Sequence, residues 1–272
     1  MKTDASLIIS VYNKIDFLSL VLAGLTRQSY KNFEVLIADD GSNDRTKEFI
    51  TTYQKSAPFV IRHLWHEDVG FRKNKILNTA IESASSDYLI FIDGDCIPHR
   101  FFIEAHIKEH RTGKALCGRR VMLSDRITQS LNATNVINGV LDTINFRLIL
   151  DGINGRASRV EDGLFIKSAI IRNLIDRKRT RILGSNFSIE KSLLEKINGF
   201  DEDYQGPGLG EDADIQYRLE LIGVSFHSVK NYAIQYHLFH PRTIESFENQ
   251  MLFQNKTSLN QAYCKNGLRK TI

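Results

Sequence analysis

Four short apolar runs, at residues 7–11, 33–38, 60–64 and 88–92, alternate with helical patterns through the first third of the chain. Each run is bounded by polar residues or Gly and is too short for a helix, as in strands buried inside a parallel sheet. The segments between them, 17–25, 46–53 and 75–84, carry helical periodicity and are long enough for crossover helices. Ser42 reads as the N-cap of the second of these. Pro98 reads as opening the next helix, around 101–109, where a missing N–H is tolerated. This rhythm predicts an α/β fold with a twisted, mostly parallel sheet, right-handed crossovers, and ligands bound outside the carboxyl ends of the strands.

After a further strand near 115–122 the rhythm breaks. Residues 124–181 read as a long, largely helical excursion, followed by a strand at 186–189 and a helix at 191–197 that stops at Asn198-Gly199. A Gly-rich stretch from Gly206 to Gly210 leads into a helix over 211–222, and the tail from 247 to 263 reads as an amphipathic helix. No internal repeat or composition break marks a second domain. The chain reads as one domain over 1–272, with a first half (1–122), a helical insertion (123–182) and a closing half (183–272).

Composition narrows the class. The apolar fraction of 42% and charged fraction of 25% are those of a globular protein. The start of the chain lacks a signal-peptide layout, and no apolar run approaches the ~18 residues of a spanning helix. Cys96, Cys117 and Cys264 are odd in number and widely spaced, which fits free thiols in a reducing, cytoplasmic compartment. The net charge of +4 is unevenly spread: Lys167, Arg172, Arg177, Lys178, Arg179 and Arg181 face only Asp176. That cluster is either a solvated helix face or a contact for an anionic acceptor or the anionic inner face of a membrane. Nucleic acid is disfavoured, because no aromatic residues interleave with the basic ones and no binding motif is present.

Three acidic clusters carry the chemistry. Asp39-Asp40-Gly41-Ser42 follows the second predicted strand, Asp93-Gly94-Asp95 the fourth, and Glu211-Asp212 opens a late helix. The first two should converge on one edge of a parallel sheet. There, Asp39 or Asp40 can accept hydrogen bonds from a base or ribose, or simply form an Asx turn. The pair Asp93 and Asp95 suits a divalent cation, and a cation suits a phosphate. Asp212 sits where the helix dipole favours an anion, a position that serves a general base. His237 and His240 lie in a strand-to-loop segment, and an imidazole joined to a carboxylate suits Mn²⁺. Asp95 and His240 form the preferred metal pair, with His237 as an open question.

In order and spacing these pieces resemble family 2 and the related galactosyltransferase-like families of GT-A glycosyltransferases, from Ser6 to about Arg242. Ser10-Val11-Tyr12-Asn13-Lys14 is similar to their opening nucleotide-binding loop, and residues 37–42 to their uridine-contacting loop. The stretch 70–78, with Phe71, Lys73 and Lys75, followed by Asp93-Gly94-Asp95, is similar to one in animal beta-galactosyltransferases and bacterial chondroitin polymerases. Gly199-Phe200-Asp201 and Gly210-Glu211-Asp212-Ala213-Asp214 resemble the acceptor-side motif, and His240 the metal histidine.

The resemblance implies an inverting transferase that moves a hexose, galactose or N-acetylgalactosamine above glucose or N-acetylglucosamine, from a UDP-sugar to a glycan or glycolipid acceptor. It implies Mn²⁺ or Mg²⁺ on Asp95 and His240, Asp39 on uracil, and Asp93 on ribose or sugar hydroxyls. Lys73 or Lys75 would face the diphosphate, Glu211 with Gly210 the acceptor sugar, and Asp212 would be the base. One departure stands out: where animal galactosyltransferases carry tryptophans before Glu-Asp, this chain has Gly206, Pro207 and Gly208, so the family's acceptor does not carry over. Trp65 lies elsewhere and reads as structural. Two rival readings are a nucleotidylyltransferase, which would need a Gly-rich loop in place of Ser10–Lys14, and a non-catalytic sugar- or membrane-binding relic.

Overall fold

The computed structural model describes residues 3–143, 146–175, 180–208, 211–241 and 246–270. The first half forms β1 (Ala5–Val11), α1 (Ile15–Thr26), β2 (Phe33–Asp39), α2 (Asp44–Gln54), β3 (Val60–Trp65), α3 (Lys73–Ser83) and β4 (Tyr88–Asp93). Alternate side chains of these strands serve opposite faces, as the pleat requires. Leu7, Ile9, Val35, Ile37, Ile90 and Ile92 pack with α1 on one face. Ile8, Leu36 and Phe91 pack with α3 on the other. Burial on both faces explains why these strands read as continuous apolar runs. β3 differs: it is the sheet's edge and half-exposed, not buried.

The chain continues through β5 (Cys96–Pro98), α4 (Phe102–Glu109), β6 (Lys114–Cys117) and β7 (Arg119–Met122). The insertion follows as α5 (Asp125–Ser130), α6 (Ala133–Ile137), α7 (Phe146–Ile153), a 3₁₀ turn (Val160–Gly163) and α8 (Ala169–Ile175). It closes with β8 (Phe187–Glu190), α9 (Lys191–Lys196), α10 (Asp212–Leu221), β9 (Ser225–Ser228), β10 (Ile234–His237) and α11 (Phe247–Ser258). The larger sheet runs β3-β2-β1-β4-β8-β6-β9, and a smaller one runs β5-β10-β7. β1 to β4 are mutually parallel; β8 is antiparallel to both β4 and β6.

Several expectations need correction. Asn43, not Ser42, caps α2, its side chain accepting from Thr46 N; the Ser42 hydroxyl instead accepts from the Asn13 N–H at 2.6 Å. Pro98 ends β5 rather than opening a helix, and α4 begins at Phe102. The single strand foreseen near 115–122 is two strands in two sheets. They part at Gly118, where a Cβ would come within 2.2 Å of the Asn186 side chain. That side chain bridges the sheets by donating to the carbonyls of Arg119 and Ala233. The helical excursion is a series of short helices, and α11 stops at Ser258. Asn198 and Gly199 do stop α9, both in the left-handed region.

Register positions the site. In the paired strands Val11 lies opposite Asp39, and Ser10 opposite Asp93. The carboxyl ends of β1, β2 and β4 therefore finish side by side.

Candidate active site

On the left of this edge two loops are stitched together. Asn13 and Lys14 adopt left-handed φ values of 53° and 54°, which turns the chain after Val11 toward the Asp39 loop. Asn43 N donates to the Asn13 side chain at 3.2 Å, and Tyr12, exposed, donates its hydroxyl to Asp68 at 2.9 Å. Asp39 is fully buried, accepting from Ser42 N at 2.8 Å and bonded to His63 Nε2 at 2.7 Å. Asp40 meets His66 Nε2 at 2.7 Å and accepts from Arg72 N. Burial raises the Asp40 carboxyl, while His66 and the Arg72 amide act against that shift. Trp65 donates its indole N–H to Ser42 O at 2.9 Å, the structural role foreseen for it. Phe71 is half-buried beside Arg72.

Lys73 occupies the centre. Its ammonium lies 2.9 Å from Asp93 Oδ1 and 2.7 Å from Glu211 Oε1, bridging a carboxylate of the β4 end and one at the start of α10. Burial alone would lower its pKa, but Asp93 and Glu211 raise it well above the ordinary lysine value. Asp93 also accepts from the Ser10 hydroxyl at 2.7 Å, and Gly94 N donates to Ser10 O. Lys75, two residues on, is exposed and shares no helix face with Lys73; of the two lysines, Lys73 is the one in the site.

Asp95 lies on the other side of Asp93. Its carboxylate is 3.1 Å from His240 Nε2 and 3.7 Å from His237 Nε2. His237 ends β10, and its backbone neighbour Leu238 donates to Asp95 O, so strand pairing sets the cluster. Burial would raise the Asp95 carboxyl, but the His240 hydrogen bond and the two imidazoles hold it well below the usual range. Burial lowers His237 to about 4, so that its ring is neutral near pH 7. Among the described residues, one donor atom from each of Asp95, His237 and His240 lies within 4.8 Å of the others.

That donor set fits a divalent cation. A carboxylate with two imidazoles suits Mn²⁺. When His240 Nδ1–H donates to the Pro241 carbonyl, 2.8 Å away, Nε2 is left to present a lone pair toward Asp95. His237 Nδ1 is buried without a hydrogen-bond partner among the described residues. Cys96 also neighbours Asp93 and Asp95, but burial pushes its thiol pKa well above the ordinary value and keeps it protonated, a poor ligand.

The remaining wall is the start of α10. Asp212 accepts from Gly184 N at 2.8 Å. Its pKa is raised by burial, against the Gly184 bond and Lys73. Glu211 is raised to about 7, chiefly by burial, with Asp212 and Asp93 adding to it and Lys73 opposing. Gly210 lies outside the described residues, as do Arg177, Lys178 and Arg179. The rest of the acceptor-side motif is a buried frame: Phe200 and Asp201 are in the interior, and Asp214 pairs with Arg218, which also donates to the carbonyls of Ile197 and Gly199.

Sequence reasoning missed Arg120, whose guanidinium sits 3.8 Å from Asp93 and donates to Ser185 Oγ at 3.3 Å. A basic pair in a strand gives no signal of facing inward. It also missed Gly184, His63 and His66, which hold the acids from behind; Gly184-Ser185 reads only as a turn before β8.

A family model described as glycosyl transferase family 2 matches residues 6–196, well over half of the chain and all of the β1–β4 edge. The chain belongs to glycosyl transferase family 2. A second model, described as the N-terminal domain of galactosyltransferase, matches residues 169–241, the part with Glu211, Asp212, His237 and His240. Among similar curated proteins, chondroitin synthase of Pasteurella multocida (strain Pm70) is 27% identical over 82% of this chain and 24% of its own length. Hyaluronan synthase of Pasteurella multocida is also 27% identical, over 82% of this chain and 23% of its own. Validoxylamine A glucosyltransferase of Streptomyces hygroscopicus subsp. jinggangensis is 25% identical over 80% and 52%. This family 2 chain thus spans about a quarter of the first two and half of the third.

Solved structures share the fold. The mannosyltransferase PcManGT of Pyrobaculum calidifontis, in complex with GDP-Man and Mn²⁺, superposes with a TM-score of 0.57 at 17% identity, covering 89% of this chain and 59% of that one. S. aureus TarS 1-349 in complex with UDP gives 0.56 at 18%, covering 88% and 61%. These are GT-A folds, as the sequence led us to expect. Among the described residues no helix is long and apolar enough to cross a membrane.

Proposed function

We propose that this family 2 chain is an inverting, metal-dependent transferase that moves a hexose from a UDP-sugar to a hydroxyl of a glycan acceptor. The observation that carries the reading is the Lys73 bridge. It joins Asp93 at the end of β4, beside Asp95, to Glu211 at the start of α10, next to Asp212, which supports donor and acceptor sites side by side.

In this reading Tyr12, Asn13 and Asp39 bind the uridine, with Ser42 and His63 fixing the Asp39 carboxylate. Asp93 holds a ribose or sugar hydroxyl, and Lys73 turns its charge to the diphosphate. A divalent cation, Mn²⁺ or Mg²⁺, held by Asp95, His240 and His237 would neutralise charge on the diphosphate as UDP leaves. Asp212 takes the acceptor proton while that oxygen attacks the anomeric carbon from the face opposite the departing UDP, which inverts the centre. Glu211, ionised above about pH 7, accepts a hydrogen bond from the acceptor sugar. Alignment of both substrates on a rigid edge supplies much of the rate.

Galactose or N-acetylgalactosamine is the favoured sugar, supported by the galactosyltransferase match over 169–241 and by the chondroitin synthase likeness. Glucose and N-acetylglucosamine form the second reading, favoured by the validoxylamine A glucosyltransferase likeness and by a TarS structure with UDP-GlcNAc. The acceptor we favour is a growing surface polysaccharide or lipopolysaccharide. The test is Asp212→Asn, which should lose transfer while binding the UDP-sugar as tightly as the parent. Normal turnover in that variant would remove Asp212 as the base.

A further inference from the structure

α8 is built inside out. Its four large aliphatic residues, Ile170, Ile171, Leu174 and Ile175, are 49–74% exposed, while Arg172 is 5% exposed. Arg172 is the anchor: it pairs with Glu109 of α4, lies 4.3 Å from the Tyr232 ring centre, and donates to the carbonyls of Ile166 and Lys167. A helix folded only for water would turn these faces around, since apolar area left in water forgoes about 25 cal/mol per Å². α7 is mixed: Leu148 enters the core and Asp151 is buried on Ser124 and Arg126, while Phe146, Ile149 and Ile153 are exposed. The inversion of α8 indicates a face covered in the working protein.

The charges around α8 say by what. Exposed Lys167 precedes it, and Lys108 and Arg111 stand exposed beside Glu109, its anchor. The nearby acids are engaged: Glu104 pairs with Lys108 and Ser29, and Glu109 with Arg172, with Arg111 and His227 close by. An aliphatic row flanked by exposed Lys167 and by the solvent-facing Lys108 and Arg111 suits the interfacial zone of an anionic bilayer. A second copy suits it poorly, because a two-fold contact through α8 would bring two cation-bearing surfaces of like charge together. We propose that α8 lies flat in the headgroup region of an anionic lipid bilayer, isoleucines toward the acyl chains and Lys108, Arg111 and Lys167 toward the headgroups. This docking is independent of the donor and the chemistry proposed above.

The test is co-sedimentation of the full chain with vesicles of phosphatidylcholine, alone or mixed with phosphatidylglycerol. The parent should sediment with the mixed vesicles and be released by salt. A variant carrying Ile170→Ser, Ile171→Ser and Ile175→Ser should bind at least about tenfold more weakly. Lys167→Gln should lose about fivefold on anionic vesicles and nothing on neutral ones. Circular dichroism and UDP binding check that the variants are folded, and Ile170→Ser alone serves if the triple variant is not. Absence of parent binding would overturn the proposal. So would equal binding by the isoleucine variants, or isoleucine-dependent self-association without lipid. Failure to bind UDP would count against the proposed function and leave this docking standing.

Discussion

Replacing Gly184 with alanine probes the proposed base, Asp212, without replacing an ionisable group. A Cβ there would lie 2.3 Å from Asp212 Oδ1 and 2.8 Å from Glu211 Oε1. Ordinary contact begins near 3.4 Å, so the Asp212 carboxylate must retreat by about 1 Å, and a displacement of that size costs on the order of a hundredfold in rate. The Gly184 N to Asp212 Oδ2 bond of 2.8 Å would be strained with it. Gly184 is not among the glycines with positive φ, so alanine fits the backbone and the fold should be kept. Gly184→Ala is therefore expected to lower kcat for UDP release in the presence of acceptor by about a hundredfold, with UDP-sugar affinity by calorimetry and melting temperature near the parent's. Turnover within about twofold of the parent would refute the placement of Asp212 at the reacting oxygen.

Two further outcomes follow from the same geometry. Burial raises Glu211 from an ordinary 4.5 to about 7, and Lys73 opposes the rise; kcat/KM for the donor-free enzyme should climb with pH through about 7, and Lys73→Met should move that limb to higher pH. Because the folded-state value is the raised one, Glu211 should subtract from stability as pH climbs between those two values and not beyond, and a limb unmoved by Lys73→Met would contradict the bridge. Asp214→Ala leaves Arg218 buried without its carboxylate and should cost about 3–5 kcal/mol in urea unfolding, whereas a loss below about 1 kcal/mol would deny that this pair braces the start of α10 against the turn after α9.

What the sequence made legible follows from how each element is buried. β1, β2 and β4 stood out because both faces of the sheet are covered, turning them into unbroken apolar runs. β5, β9 and β10 have three or four residues each, too few for a period of two to declare itself, and they exist because neighbouring strands pair with them. Gly118 hid the change of sheet between β6 and β7, since a lone glycine in a strand pattern does not say whether the strand bends or divides. The acids and His240 were legible from residue type and order, including the 3.1 Å Asp95–His240 pair that joins residues far apart in the chain. Their supports were not. His63 and His66 lie in and just after an edge strand, Arg120 in a basic pair and Gly184 in a turn, and only the tertiary fold turns each of them toward a carboxylate. Arg172 ran the other way: a basic residue counted with a surface cluster proved to be the buried anchor of α8.

The most direct measurement is UDP release from a panel of UDP-hexoses with acceptor glycan present, run with Mn²⁺, with EDTA, and with Mn²⁺ restored in excess. The account predicts release from one donor, abolished by EDTA, recovered with the metal, and lost in Asp95→Ala. Release indifferent to EDTA would contradict the metal site. Neither release nor UDP binding from any donor, with metal present, would contradict the reading of this edge as a UDP-sugar transferase.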